Sequence, residues 1–414
     1  MRNRPTVALL IAGTFLASIL SAQTPRGAEI RVSPLAGDAP ARAAVATNGD
    51  FVVTWQAGVS YRGQAPKVWY RLFRADGAPK GKPQRVSTSK AGEFRPAVSL
   101  GADGSFVIVW YGGDSRDTSV FGRRFDPQGR PIGGRFLLSA NTEGSQFGPA
   151  VALTADGGFV AAWASALRPY DERSSDLYAR RFDAAGQPLG PEFLVTNTTW
   201  NEQSTPQVVV KPDGGFLIGW LNYGGEPTFY DSFARIFAAD GAPLGDEFQL
   251  NSGDTMVTSQ PEFALAAADD GTFVAVWTDN AGDYDRDGNS FGDIVGLRGQ
   301  RFAADGTPIG DFFHVNASAK DVQDNPAIVM VPGGGFLVAW TSQSATVPYT
   351  SAVMGRRFAS NAVPAGPELR INTSTQSQHW APTLALAPSG KGVVAWIAWQ
   401  GSFEQSGVLL RRLQ

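Results

Sequence analysis

The sequence predicts an all-β protein, a seven-bladed β-propeller with four antiparallel strands per blade. Three observations predict it. A short apolar strand ending in tryptophan recurs seven times. The segments around it repeat as well, with glycine turns at fixed places. The last repeat lacks a fourth strand, which a segment near the start of the chain can supply. The 414 residues include 48 glycines and 27 prolines with only 18% charged residues, a composition suited to many short strands and tight turns.

The first stretch reads as a signal peptide, residues 1–22. Arg2 and Arg4 give a positive start, Val7 to Leu20 form an apolar run, and Ser21-Ala22 offers a small-residue cleavage site. The run is short of the ~20 residues that a membrane span needs. Residues 23–28 read as a short linker and residues 29–414 as the propeller. The expected location is therefore secreted, periplasmic or cell-surface, with no transmembrane segment after signal removal. The absence of cysteine excludes disulfides, thiolate-bound zinc and a thiol nucleophile. A formal charge of −3 with no basic run argues against nucleic acid as a partner.

The tryptophan strands are Phe51–Trp55, Phe106–Trp110, Phe159–Trp163, Phe216–Trp220, Phe273–Trp277, Phe336–Trp340 and Gly392–Trp396. Each is apolar on both faces, as a strand buried between two layers must be. A glycine turn precedes each, and upstream lies another strand, usually opened by proline: Pro96, Pro149, Pro326, Pro382. Downstream, a third strand ends in Arg-Arg-Phe or a variant and leads through a Gly-x-Pro-x-Gly turn to a fourth, such as Glu192–Val195. The seventh unit stops after its third strand at Arg411-Arg412-Leu413. Gly27–Val32 matches the sixth unit's fourth strand, Gly366–Ile371, so it is expected to close the ring.

These residues resemble a repeat of bacterial exported and surface proteins, Asp-Gly-Gly-Phe-Val-Val-x-Trp, then Arg-Arg-Phe, then Glu-Phe-x-Val-Asn. The resemblance covers nearly the whole chain after the leader and implies an extracytoplasmic binding or structural role. Proteins built from such repeats mostly have no assigned activity. The WD dipeptide, the sialidase aspartate signature and the quinoprotein tryptophan pattern are absent.

The repeated tryptophans are expected to pack blade on blade. The repeated arginines (Arg71, Arg123, Arg180, Arg235, Arg356, Arg411, with Gln300 in the fifth unit) are expected to pair with carboxylates such as Glu192 and Glu368. Function should lie where the repeats differ. The turns between the first and second and the third and fourth strands are uniform, so one face of the disc is plain. The other two connections share the opposite, variable face. It carries Tyr170, Trp200, Tyr223, Tyr230, His379, Trp380 and Trp399, the expected ligand contacts. Aromatic rings mixed with amides and carboxylates suit a carbohydrate or a protein/peptide ligand. The expectation is a binding or scaffold protein, with a polysaccharide-acting hydrolase or lyase as the alternative. No catalytic residue is assigned, and the protein is expected to be a monomer.

The fifth unit contains Asp279 and then Asp283-x-Asp285-x-Asp287-Gly288-Asn289. Carboxylates at alternate positions followed by glycine open calcium loops, because they converge on one hard cation. The segment resembles the loops of integrin-type propellers and EF-hands. It departs from both at Phe291 and Ile294, where Asp293 could substitute. The candidate calcium ligands are Asp279, Asp283, Asp285, Asp287, Asn289 and Asp293.

Overall fold

The structure, a computed structural model, describes residues 24–33, 41–58, 65–113, 118–166, 175–197, 201–224, 230–251, 262–279, 296–317, 321–344, 346–347, 350–375, 377–399 and 406–414. They form seven four-stranded antiparallel sheets and contain no helix. In blades 1 to 6 the strand order follows the chain. The first strands of successive blades touch one another around the ring, so they form the inner wall. These inner strands are Arg42–Val45, Gly92–Leu100, Ser145–Leu153, Glu202–Val210, Phe263–Ala267, Val322–Met330 and Gln378–Leu386.

The second strands carry the core. Trp110, Trp340 and Trp396 are fully buried, and Trp55, Trp163, Trp220 and Trp277 nearly so. The phenylalanine that opens the second strand stacks on the one that ends the third, as in Phe106–Phe125 at 4.7 Å and Phe159–Phe182 at 4.6 Å. Such stacks add to the area term because offset rings complement each other's quadrupoles. Each apolar cluster joins residues of neighbouring blades. One, for instance, unites Val160 and Leu177 of blade 3 with Phe216 and Trp220 of blade 4. The core is therefore a ring of blade interfaces rather than a central mass.

Among the described residues the repeated arginines make no ion pair with a carboxylate at the rim. Arg71, Arg235, Arg356 and Arg411 each donate Nη1 to a carbonyl of the preceding blade: Val32, Val195, Val315 and Ile371, at 2.8–3.1 Å. All four also donate Nε to a glycine carbonyl of the same blade, Gly81, Gly245, Gly366 or, from the closing strand, Gly27. The glutamates serve a parallel role. Glu192 accepts the Ala140 N–H at 2.7 Å, and Glu368 accepts that of Ala317. Both residue types staple blade to blade through backbone groups that would otherwise be unpaired.

The N-terminal strand, Pro25–Ser33, pairs antiparallel with Gly407–Leu413 and completes blade 7. It begins within the stretch expected to be linker. Glu29 accepts the Thr373 N–H of blade 6 at 2.5 Å, and Val32 accepts Arg71 of blade 1. The closing strand is thus held from both sides.

Candidate functional site

The prolines expected to open the inner strands lie in their middles. In blade 2 the strand begins at Gly92, and the pairing breaks between Phe94 and Ala97. The same break falls at Phe147/Ala150, Ser204/Gln207, Asp324/Ala327 and Trp380/Thr383. A β-bulge there accommodates the proline, which has no N–H for the ladder. The residue before each proline takes a left-handed backbone: Arg95 (φ 41°), Gly148 (58°), Thr205 (49°), Asn325 (53°) and Ala381 (52°). For the four that are not glycine this costs of order 1–3 kcal/mol each. The bulges form a strained collar in the half of the inner wall nearest the variable face.

Three collar N–H groups are capped by the blade before. Gln56 Oε1 accepts from Arg95 at 3.2 Å, and Thr341 Oγ1 accepts from Ala381 at 3.1 Å. Both caps directly follow a core tryptophan. In blade 5 that register position is Thr278, whose hydroxyl is buried and without a partner among the described residues. The Asn325 N–H is taken instead by Glu262 Oε2 at 2.5 Å. Counted back from the glycine turn, Glu262 holds the position of Arg95 and Asn325.

Glu262 faces a second carboxylate. The position before the bulge is Phe94, Phe147 or Trp380 in three blades, but Asp324 in blade 6. Asp324 accepts from Asn325 Nδ2 at 3.0 Å and from Gln343 Nε2. Burial, and then the Asp324 charge, push the Glu262 carboxyl up to about 7, against the Asn325 N–H that favours the anion. Burial also raises Asp324, while the amides of Asn325 and Gln343 and the Thr341 hydroxyl pull it back. Unequal environments around paired carboxylates are what acid–base chemistry uses.

Near blades 1 and 2 the wall is cationic. Arg42 and Arg95 are both exposed, and burial of the surroundings followed by the Arg95 charge lowers the Arg42 guanidinium. A side chain can be open to solvent yet walled in by protein where it lines a channel. Beside Arg95, Phe94 stacks on Tyr111 at 5.2 Å. A groove of about 640 Å³ between blades 1 and 2 opens among the uniform turns of the plain face. Its Lys80 and Asp50 pair with each other at 2.7 Å, so it shows no comparable break from the repeat.

Of the expected ligand contacts, Tyr223 and Trp399 end their second strands at one register position, half-buried, and Gln343 holds the same position in blade 6. Trp380 is half-buried on the inner strand of blade 7. His379 lies in that strand rather than in a loop, 1% exposed, accepting the Trp396 indole N–H at Nδ1 (3.0 Å) and contacting Ser377 Oγ through Nε2 (2.8 Å). Tyr230 opens the third strand of blade 4, opposite Tyr223. Tyr170 and Trp200 lie outside the described residues, as do Asp283, Asp285, Asp287, Asn289 and Asp293. Asp279 ends its strand in a 2.5 Å ion pair with Arg298. Among the described residues no cluster of three or more His, Asp or Glu side chains could hold a metal.

Sequence reasoning missed Arg42, Arg95, Glu262, Asp324 and Asn325. Aligning the residues just before the repeated proline would have found most of them.

No protein-family model matches the sequence, nor does any curated protein. Solved structures share the fold. The polysaccharide lyase Uly1 superposes with a TM-score of 0.55 at 10% identity, over 94% of this chain and 99% of that one. A protein of unknown function from Dyadobacter fermentans gives 0.53 at 12% identity, over 78% and 95%. The α-L-arabinanase of Penicillium chrysogenum, complexed with arabinobiose, gives 0.51 at 13% identity, over 77% and 92%. At these identities the likeness is one of fold.

Proposed function

We propose that this protein is an exported propeller that recognises a carbohydrate at the collar on its variable face. The observation that carries this reading is the local break in the repeat. Where other blades place aromatic or small residues, blades 5 and 6 place Glu262 and Asp324, and blade 2 places Arg95. Tyr223 and Trp399 supply half-buried rings on the same face. Several propellers of similar fold act on glycans, which agrees with this reading.

A second reading, cleavage of the bound polysaccharide, is favoured by the carboxylate pair. Glu262, protonated to near neutral pH, would donate to the leaving oxygen, with Asp324, which accepts from Asn325 Nδ2 and Gln343 Nε2, as the second carboxylate. The test is a glycan array together with an assay for new chain ends, using the chain from residue 23. If Glu262 acts as the acid, activity falls as pH rises through about 7. Glu262→Gln should then lose activity by ~10²-fold or more while still binding. Retention on no glycan would overturn the carbohydrate reading.

Export and calcium belong to the same proposal. The mature N-terminus should be found near Gln23 in protein recovered from outside the cytoplasm. The segment from Asp283 to Asp293 would bind one calcium ion, with Asp279 contributing least because Arg298 already neutralises it. Calorimetry should show a single site that Asp285→Ala removes, and no heat at millimolar calcium would end this part of the proposal.

A further inference from the structure

Arg42 and Arg95 come from neighbouring inner strands, which pack side by side in the ring. Both side chains are exposed, and the Arg95 charge adds to burial in lowering the Arg42 guanidinium. Arg42 donates to the Ala41 carbonyl at 3.2 Å, and neither residue makes an ion pair among the described residues. The repeat does not require either arginine. The position of Arg42 is Ala97, Ala150 or Ala327 in other blades. In blade 4 it is Gln207, which spans to the Phe263 carbonyl and the Leu265 N–H of the next inner strand. Arg95 is moreover fixed in a left-handed bulge whose N–H is already taken by Gln56. Two exposed guanidinium groups on neighbouring inner strands repel each other until an anion lies between them.

We infer that the Arg42–Arg95 pair binds the anionic group of an acidic polysaccharide, a uronate carboxylate or a sulfate ester. This rests on the carbohydrate reading above and narrows it. The two arginines lie in blades 1 and 2 and the Glu262–Asp324 pair in blades 5 and 6, on well-separated parts of the same ring. The cationic pair would set which sugar enters, with the Phe94–Tyr111 stack beside it as an apolar platform.

The test compares polygalacturonate, dextran sulfate and unmodified dextran by titration calorimetry at low and moderate salt. The wild-type chain should bind at least one of the two acidic polymers and prefer it to dextran, and the preferred polymer names the anion. The double variant Arg42→Gln/Arg95→Gln should lose about tenfold or more in affinity for it, as expected when charge-assisted contacts are removed. Arg130→Gln, on an exposed turn of the plain face, should bind as the wild type does, which separates a site from general charge attraction. Circular dichroism and melting confirm that each variant is folded. If the double variant misfolds, the two single variants take its place, each with a smaller loss. Equal binding of dextran and the acidic polymers, or unchanged affinity in the folded arginine variants, would overturn the inference and leave the carbohydrate reading standing. Binding of none of the three polymers would overturn the anionic assignment; silence across the wider glycan array as well would remove both.

Discussion

At the second position of the inner strands, Gln146, Gln203 and Gln323 give way to His379 in blade 7. The substitution is chemically close. Gln323 Oε1 accepts the Trp340 indole N–H at 2.6 Å, and His379 Nδ1 accepts that of Trp396 at 3.0 Å. Accepting at Nδ1 places the imidazole proton on Nε2, against Ser377, so the folded state requires the neutral ring. Burial accordingly lowers the His379 pKa to about 4. The stability that follows from the neutral ring is fully present above the ordinary histidine pKa of 6.5 and is lost as pH falls through about 4. His379→Gln should match the wild type at pH 7 and become the more stable of the two below pH ~6, seen in denaturant melts across pH. His379→Leu should cost ~1 kcal/mol at pH 7, the lower end for an orphaned donor. The fold already tolerates buried indole N–H groups without partners among the described residues at Trp55, Trp110 and Trp277. Glu262 shows the opposite sign. Its folded pKa is raised, so its contribution is present below the ordinary carboxyl value and lost as pH rises through about 7. Glu262→Gln should flatten that limb of the stability curve, measured by the same melts.

At the scale of the element, the turns and second strands were legible because each has a local cause: a glycine at a left-handed position, or an apolar run between two layers. The inner strands were less so. Their prolines look like strand starts, and only the pairing shows that each sits on a bulge four residues in. That offset placed His379 in a loop, and it hid the collar, whose members Arg95, Glu262 and Asn325 share no residue type. The turn between the third and fourth strands offers a sharper test. Its left-handed position is Gly129, Gly186, Gly241 and Gly306 in blades 2 to 5, but Ala362 in blade 6, at φ 64°. An alanine held there costs about 1 kcal/mol relative to glycine. Against this, glycine adds entropy to the unfolded chain and gives up the small buried methyl. Ala362→Gly should still stabilise the protein, by no more than ~0.5 kcal/mol, read as a higher denaturant midpoint at unchanged m. A lower midpoint would mean that the methyl's packing beside Phe336 and Phe358 outweighs the strain.

The ring as a whole is held by blade interfaces, and six of the seven have neighbours joined by continuous chain. The seventh depends on Pro25–Ser33. This was legible from Gly27–Val32 matching Gly366–Ile371, because a closed ring leaves no unpaired edge and the chain must supply the missing strand from somewhere. What the match did not show is how far the closure reaches. Val32 is buried with Val408 and Leu410 of blade 7 and Val53 and Phe73 of blade 1. Its carbonyl accepts Arg71, and Glu29 reaches Thr373 in blade 6. Removing residues 23–33 therefore does more than free the edge Gly407–Leu413. It uncovers an apolar cluster spanning two blades and unpairs staples on both sides. The deleted protein should melt well below the full chain and self-associate through the bare strand, measured by calorimetry and size-exclusion chromatography. A synthetic peptide of residues 24–33 should restore part of the melting temperature by pairing in trans. Val32→Asp should mimic the deletion by burying an unpaired carboxylate, while Glu29→Gln, which keeps an acceptor near Thr373, should cost under ~1 kcal/mol. A deletion that melts at the wild-type temperature would show that blade 7 holds the ring with three strands.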